Sequence, residues 1–163
     1  VKKDSIPIQN KESLEGFATN NLIFLIDVSS SMNQPDKLPI LKDAIKYLTN
    51  LYRPTDKIAI LTYSSITNEI LPSTFVNDKD KIISAIDGIN AGGASQGGNA
   101  LEKAYQTAIK NYISKGNNRI ILATDGMFTN GDKEDNKILK SIQNGLNNNI
   151  YLSIFQLPLS RIE

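Results

Sequence analysis

Continuous apolar runs alternate along this chain with segments of helical periodicity. Residues 22–26 form an uninterrupted apolar run that ends at Asp27. A run without polar alternation is typical of a strand buried on both faces of a parallel sheet. The pattern becomes helical after Asp36, the predicted N-cap, with Pro39 in the first turn. One face of this helix carries Leu38, Leu41, Ala44, Ile45, Leu48 and Leu51.

The same alternation continues through the rest of the chain. Further strands are predicted at Lys57–Tyr63, 67–71, 120–123 and 150–155, and further helices at 79–89, 101–112 and 134–146. This order predicts an α/β fold with a doubly wound, mostly parallel sheet, helices on both faces and one short antiparallel edge strand at 67–71. Residues 1–20 are polar and aperiodic, so we expect an arm or linker there and one domain over 21–163.

Composition removes several classes of function. The 163 residues include no Cys and no His, which rules out thiolate or imidazole metal ligands and every catalytic arrangement built on either side chain. A formal net charge of +1 argues against a nucleic-acid surface, because binding to phosphates requires clustered Lys and Arg. No apolar run approaches the roughly 20 residues that span a bilayer.

Polar oxygen ligands follow two of the predicted strands. Asp27 ends the first strand and is followed at two-residue spacing by Ser29 and Ser31, so the three side chains can converge. Asp125 ends the 120–123 strand, and the Gly-rich segment 92–98 offers Ser95. Ligands of open parallel sheets bind outside the carboxyl ends of the strands. Carboxylate and hydroxyl oxygens suit Mg²⁺, Mn²⁺ or Ca²⁺.

Each of these residues also has an ordinary structural interpretation. Ser29 and Ser31 could cap a following helix. Asp125 and Gly126 form a common turn pair, and Ser95 lies among residues that favour turns. The joint placement of all five oxygen-bearing side chains after strands of one sheet favours a shared site.

These motifs resemble those of the von Willebrand factor type A domain family. The sequence LIDVSSSM at 25–32 is similar to the Asp-x-Ser-x-Ser signature, and ILATDG at 121–126 is similar to the second signature, a strand ending in Thr-Asp-Gly. The Gly-rich segment 92–98 looks like the loop that normally supplies a Thr. The resemblance covers about residues 21–155 and is strongest to bacterial members.

The resemblance implies a metal-ion-dependent adhesion site that holds a divalent cation, with Mg²⁺ preferred over Mn²⁺ or Ca²⁺. Its implied ligands are Asp27, Ser29, Ser31, Ser95 and Asp125. A protein partner would supply an Asp or Glu carboxylate as the last ligand. Two carboxylates only just neutralise a divalent ion, so the ion stays electrophilic enough to recruit another.

Two departures from the family pattern stand out. Ser95 replaces the usual Thr and lacks the methyl group that restricts χ1. The family usually adds a helix and a strand after the segment 150–155, so we expect a sheet truncated at its C-terminal side.

The family includes envelope-attached, secreted and cytoplasmic bacterial proteins, and the polar stretch before Asn21 suits a domain within a longer, exported chain.

Three other functions compete with metal-mediated adhesion. A Mg²⁺-dependent phosphatase of the haloacid dehalogenase type would use Asp27 as nucleophile, but it needs a second acid two residues later, where this chain has Ser29. Nucleotide binding by the Gly-rich segment is a weak match, because the Gly-Lys-Ser/Thr of a phosphate loop is missing. The third is a structural, metal-free domain within a larger complex. We therefore expect a non-enzymatic binding module.

Overall fold

The computed structural model describes residues 16–94, 99–126 and 132–158. Its sheet has five strands: β1 (Asn20–Asp27), β2 (Lys57–Tyr63), β3 (Thr67–Phe75), β4 (Asn117–Thr124) and β5 (Ile150–Gln156). The helices are α1 (Leu38–Leu51), α2 (Lys79–Asp87), α3 (Ala100–Lys110) and α4 (Asp132–Asn147), with a short 3-10 turn at Ser30–Asn33. The strand order is β3-β2-β1-β4-β5, and only the β2–β3 pair is antiparallel. The expected doubly wound α/β fold is confirmed.

Strand β1 lies at the centre of the sheet and is buried on both faces. Its side chains alternate between two hydrophobic cores. Leu22, Phe24 and Ile26 face the core formed with α1 and α2, and Ile23 and Leu25 face the core formed with α3 and α4. This two-sided burial explains the uninterrupted apolar run, since a strand with one solvated face would alternate with polar residues.

The sheet edges differ in detail from the sequence prediction. Strand β3 is nine residues long and runs on through Pro72 to Phe75, beyond the predicted end at residue 71. Proline is tolerated there because β3 is an edge strand with a register irregularity against β2. Strand β5 forms the opposite edge of the described sheet, and its Tyr151, Ile154 and Phe155 side chains are exposed.

The start of α1 also corrects a prediction. The helix begins at Leu38, its N-cap position is Lys37, and no side chain caps it, so the prediction of Asp36 as N-cap is wrong. Pro39 falls in the first turn as expected.

No helix within the described part of the chain is long and apolar enough to cross a membrane.

The sheet has a switch point between β1 and β4. Strand β1 leads to α1 on one face, whereas β4 leads to α4, which packs with α3 on the other face. The two connections diverge at the carboxyl ends of adjacent parallel strands, which is where doubly wound sheets bind ligands. Asp27 ends β1, and Asp125 directly follows β4.

Candidate metal centre

The carboxylate of Asp27 is buried at the end of β1 and held by three donors. The backbone N–H of Ser29 donates to Oδ1 at 2.8 Å. The hydroxyls of Thr124 and Tyr63 donate to Oδ2 at 3.1 and 3.3 Å. Strand register produces this arrangement, because Asp27 pairs with Tyr63 of β2 and Thr124 is the next residue after the partner of Ile26 on β4.

Three side-chain oxygens continue from Asp27 across the switch point. The Oγ atoms of Ser29 and Ser31 are 3.1 Å apart, and the Ser31 hydroxyl donates to Asp125 Oδ1 at 3.0 Å. Ser29 stands at the N-cap position of the 3-10 turn but makes no side-chain capping bond, so the capping interpretation of Ser29 is wrong. The structure therefore brings four of the five predicted site residues together.

The start of the Gly-rich segment contacts the loop after β1. Gly92 donates its N–H to the Val28 carbonyl at 2.6 Å, and Ser30 donates both its N–H and its hydroxyl to the Gly93 carbonyl at 3.0 Å. Gly93 has a φ of +88°, in the left-handed region that favours glycine, and an added Cβ would lie 3.2 Å from Ser64 Oγ. The fifth predicted residue, Ser95, lies outside the described residues.

A lysine enters the site from the start of α1. Lys37 is only 1% exposed, and its Nζ lies 2.5 Å from Asp125 Oδ2. Asp125 itself is 6% exposed, so this ion pair is shielded from bulk water. The two oxygens of Asp125 are thus engaged by different groups, Oδ1 by the Ser31 hydroxyl and Oδ2 by the Lys37 ammonium.

Tyr63 is held in its neutral form beside Asp27. Burial raises the pKa of the Tyr63 phenol well above its ordinary value, and the negative charge of Asp27 raises the pKa further. A neutral phenol is a hydrogen-bond donor, so Tyr63 fixes the orientation of the Asp27 carboxylate.

The oxygen cluster has the chemistry and spacing of a site for a hard divalent cation. Ligands of an octahedral Mg²⁺ ion lie roughly 2.1 Å from the metal and therefore about 3 Å from their neighbours. The Ser29–Ser31 and Ser31–Asp125 oxygen separations of 3.1 and 3.0 Å match that spacing. Residues 16–94, 99–126 and 132–158 contain no cluster of three or more His, Cys, Asp or Glu side chains, so the hydroxyls would have to be ligands here.

Sequence reasoning missed three residues that contact the cluster: Lys37, Tyr63 and Thr124. The sequence gives a signal for Lys37, because a cation at a helix N-terminus opposes the helix dipole and is favoured there only if an anion pairs with it. Thr124 belongs to the second signature, but the signature predicts no role for its hydroxyl. Predicting the contact of Tyr63 with Asp27 requires the register between β1 and β2, which the sequence pattern does not give.

Comparison with known proteins identifies the family. The family model described as von Willebrand factor type A domain matches residues 22–128, about two thirds of the chain. The uncharacterized protein YfbK of Escherichia coli (strain K12) is 40% identical over 141 residues, which cover 86% of this chain. The chain spans only 24% of the length of that relative.

Solved structures show the same fold at low sequence identity. The conserved hypothetical protein BatB from Bacteroides thetaiotaomicron superposes with a TM-score of 0.69 at 19% identity, covering 84% of this chain and 66% of BatB. The manganese-loaded TRAP protein of Plasmodium vivax gives 0.67 at 20% identity, covering 86% of this chain and 58% of TRAP. With its matching family model and this fold, the chain belongs to the von Willebrand factor type A domain family.

Proposed function

We propose that this domain binds one divalent cation at the switch point and uses it to bind a protein partner. The observation that carries the proposal is the spacing of the Ser29, Ser31 and Asp125 side-chain oxygens, which are separated by 3.0–3.1 Å along the cluster. Asp27 and Ser95 complete the proposed ligand set. The backbone hydrogen bonds of Gly92 to Val28 and of Ser30 to Gly93 support a role for Ser95, which follows Gly93 by two positions in the sequence.

Mg²⁺ is the proposed cation, with Mn²⁺ or Ca²⁺ as alternatives. All of the proposed ligand atoms are carboxylate or hydroxyl oxygens, which hard cations prefer. The similar fold of the manganese-loaded TRAP protein supports binding of a divalent ion by a domain of this fold. A bound cation would supply a Lewis-acidic centre for an Asp or Glu carboxylate of the partner.

Binding rather than hydrolysis is the function that the site favours. Both Asp27 oxygens already accept hydrogen bonds, from Ser29, Tyr63 and Thr124, and such bonds stabilise the charged carboxylate, which makes it less basic and a weaker nucleophile. A phosphatase would also need a general acid or base beside Asp27, and the raised pKa of Tyr63 keeps this phenol protonated and too weak an acid near neutral pH.

A matched pair of serine variants tests metal-dependent partner binding. Ser31 contacts Asp125, whereas the neighbouring Ser30 hydroxyl is exposed and turned to the Gly93 carbonyl. A partner found by pull-down in Mg²⁺ should be lost with chelator and with Ser31→Ala, and retained with Ser30→Ala. Replacing each exposed Asp and Glu of the partner by Asn or Gln should locate one essential carboxylate.

If neither the chelator nor Ser31→Ala reduces capture of the partner, the proposal is refuted. If the protein hydrolyses a phosphate ester and this activity depends on Asp27, the phosphatase function is favoured.

A further inference from the structure

Lys37 places a buried positive charge inside the candidate metal centre. Its ammonium contacts Asp125 Oδ2 at 2.5 Å, on the carboxylate whose other oxygen accepts the Ser31 hydroxyl. Lys37 is thus separated from the proposed ligand Ser31 by a single carboxylate group. Lysine is seldom buried to this extent unless it is paired with an acid.

The charge of the site depends on this lysine. Within the described part of the chain, Asp27 and Asp125 bring two negative charges to the cluster and Lys37 cancels one of them, which leaves these three residues with one net negative charge without metal. Adding a divalent cation turns this into one net positive charge. Without Lys37 the loaded site would be neutral. Because the groups are buried, solvent and salt screen these charges weakly.

The N-terminus of α1 adds a partial positive charge to the charge that Lys37 brings to the site. The N-terminus of a helix carries a partial positive charge that favours anions. The first turn of α1 contains no acidic residue, and Lys37 itself occupies the N-cap position. The Lys37 ammonium is therefore repelled by the partial positive charge at the N-terminus of α1, and its ion pair with the Asp125 carboxylate offsets this repulsion.

We propose that Lys37 is a built-in counter-cation that determines the ligand specificity of the site. Its ammonium competes with the metal for the charge of Asp125, so it weakens cation binding. In return it gives the metal-loaded site a net positive charge, which selects an anionic partner group over a neutral one of the same shape. This inference rests on the proposed function, because it assigns the chemistry of the group that the loaded site recognises.

Titrations of Mg²⁺ and then of small probes test this role. Lys37→Met removes the charge, Lys37→Arg keeps it, and Lys46→Met removes a different ion-paired cation of α1, the partner of Asp87. We expect Lys37→Met to bind Mg²⁺ roughly tenfold or more tightly than wild type, because one buried repulsive charge is gone. Lys46→Met should stay within about threefold of wild type because its ion pair is solvent-accessible. Lys37→Arg should stay within about the same range because it keeps the positive charge.

The probes distinguish specificity from simple stabilisation. With Mg²⁺ saturating, amide chemical shifts are followed during titration with acetate and with its neutral analogue acetamide. Lys37→Met should bind acetate roughly fivefold or more weakly than wild type, while acetamide binding is unchanged. Unchanged acetate binding, or Mg²⁺ binding that is equal or weaker in Lys37→Met, would overturn the inference.

Melting experiments keep the inference testable if Lys37→Met folds poorly without metal. Mg²⁺ should raise the melting temperature of Lys37→Met and Lys37→Gln more than that of wild type, and an equal or smaller rise would count against the inference.

If wild type binds Mg²⁺ and the variants bind it with the same affinity, the inference about Lys37 is overturned but the proposed function is not. No binding by wild type or variants overturns the proposed function as well. Binding by the variants only would support the counter-cation and contradict the proposed function of the natural chain.

Discussion

The Ser31 hydroxyl donates a 3.0 Å hydrogen bond to the Asp125 carboxylate, although the two residues are 94 positions apart in the chain. This bond joins the loop after β1 to the end of β4, across the point where the sheet connections diverge. It shows that residues of the two sequence signatures lie together at the switch point.

Removal of the Ser31 hydroxyl should weaken cation binding selectively. We expect Ser31→Ala to lower Mg²⁺ affinity roughly 10- to 100-fold, in the range seen when a metal site loses a supporting or weak ligand. Ser30→Ala should change the affinity by less than about threefold, because its hydroxyl is turned to Gly93. Calorimetric titration of both variants provides the measurement, and equal affinities would remove Ser31 from the site.

Two buried tyrosines should respond differently to loss of their hydroxyls. Tyr63→Phe removes a donor to Asp27 and should destabilise the domain by about 1 kcal/mol and lower Mg²⁺ affinity. Tyr105→Phe should be neutral or slightly stabilising, because the Tyr105 hydroxyl is buried without a hydrogen-bond partner among the residues that the structure describes. Urea denaturation of both variants measures the difference. A larger loss for Tyr105→Phe would contradict these assignments.

Acid unfolding should depend on Asp56, which contacts Asn20 at the opposite end of β1 from the candidate metal centre. Burial alone would raise the pKa of Asp56, but hydrogen bonds from Asn20 N–H and from Arg53 outweigh it and hold the pKa below its ordinary value. A lowered folded-state pKa gives stability that is present above about pH 4, the unfolded value, and is lost as pH falls through the folded value.

The Asp56→Asn variant isolates this contribution. It should lose about 2 kcal/mol near pH 7, because a buried charged acceptor is replaced. The difference from wild type should shrink as the pH falls below about 4. Free energies of unfolding from denaturant titrations between neutral and acidic pH check both points. A difference that stays constant with pH would show that the Asp56 charge is unimportant.

Adjacent glycines give a test of the loop geometry. Gly93→Ala puts a Cβ on a left-handed residue and within 3.2 Å of Ser64 Oγ, so it should cost about 1–2 kcal/mol. Gly92→Ala should be neutral, because its φ is outside the left-handed region and no described atom lies within 4 Å of the added Cβ. Thermal melting compares the two variants. Equal melting temperatures would mean that the Gly93 conformation carries no strain for alanine.

The order and type of the elements could be predicted because buried strands and amphipathic helices leave direct periodic signals. Lys57–Tyr63 was predicted with the bounds that the structure shows. The α1 core face was less accurate: Ala44 is exposed, whereas Thr49 is fully buried. Thr49 is tolerated in the core because its hydroxyl donates to the Ile45 carbonyl, a contact that no hydrophobicity pattern reveals.

The grouping of the candidate ligands carried by motifs was predictable, whereas the residues that contact these candidate ligands were not. Asp27, Ser29, Ser31 and Asp125 follow strands and match signatures, and the structure brings them together. Lys37 reaches Asp125 only because α1 begins beside β4, a relationship that depends on the three-dimensional path of the chain.

Calorimetric titration of Mg²⁺ into wild type, Asp27→Ala and Asp43→Ala is the most direct test of cation binding at the switch point. Asp27 is buried in the cluster, whereas Asp43 is exposed on α1. We expect saturable heat for wild type and Asp43→Ala, and none for Asp27→Ala. No heat for wild type, or equal heats for wild type and Asp27→Ala, would contradict the proposed metal site.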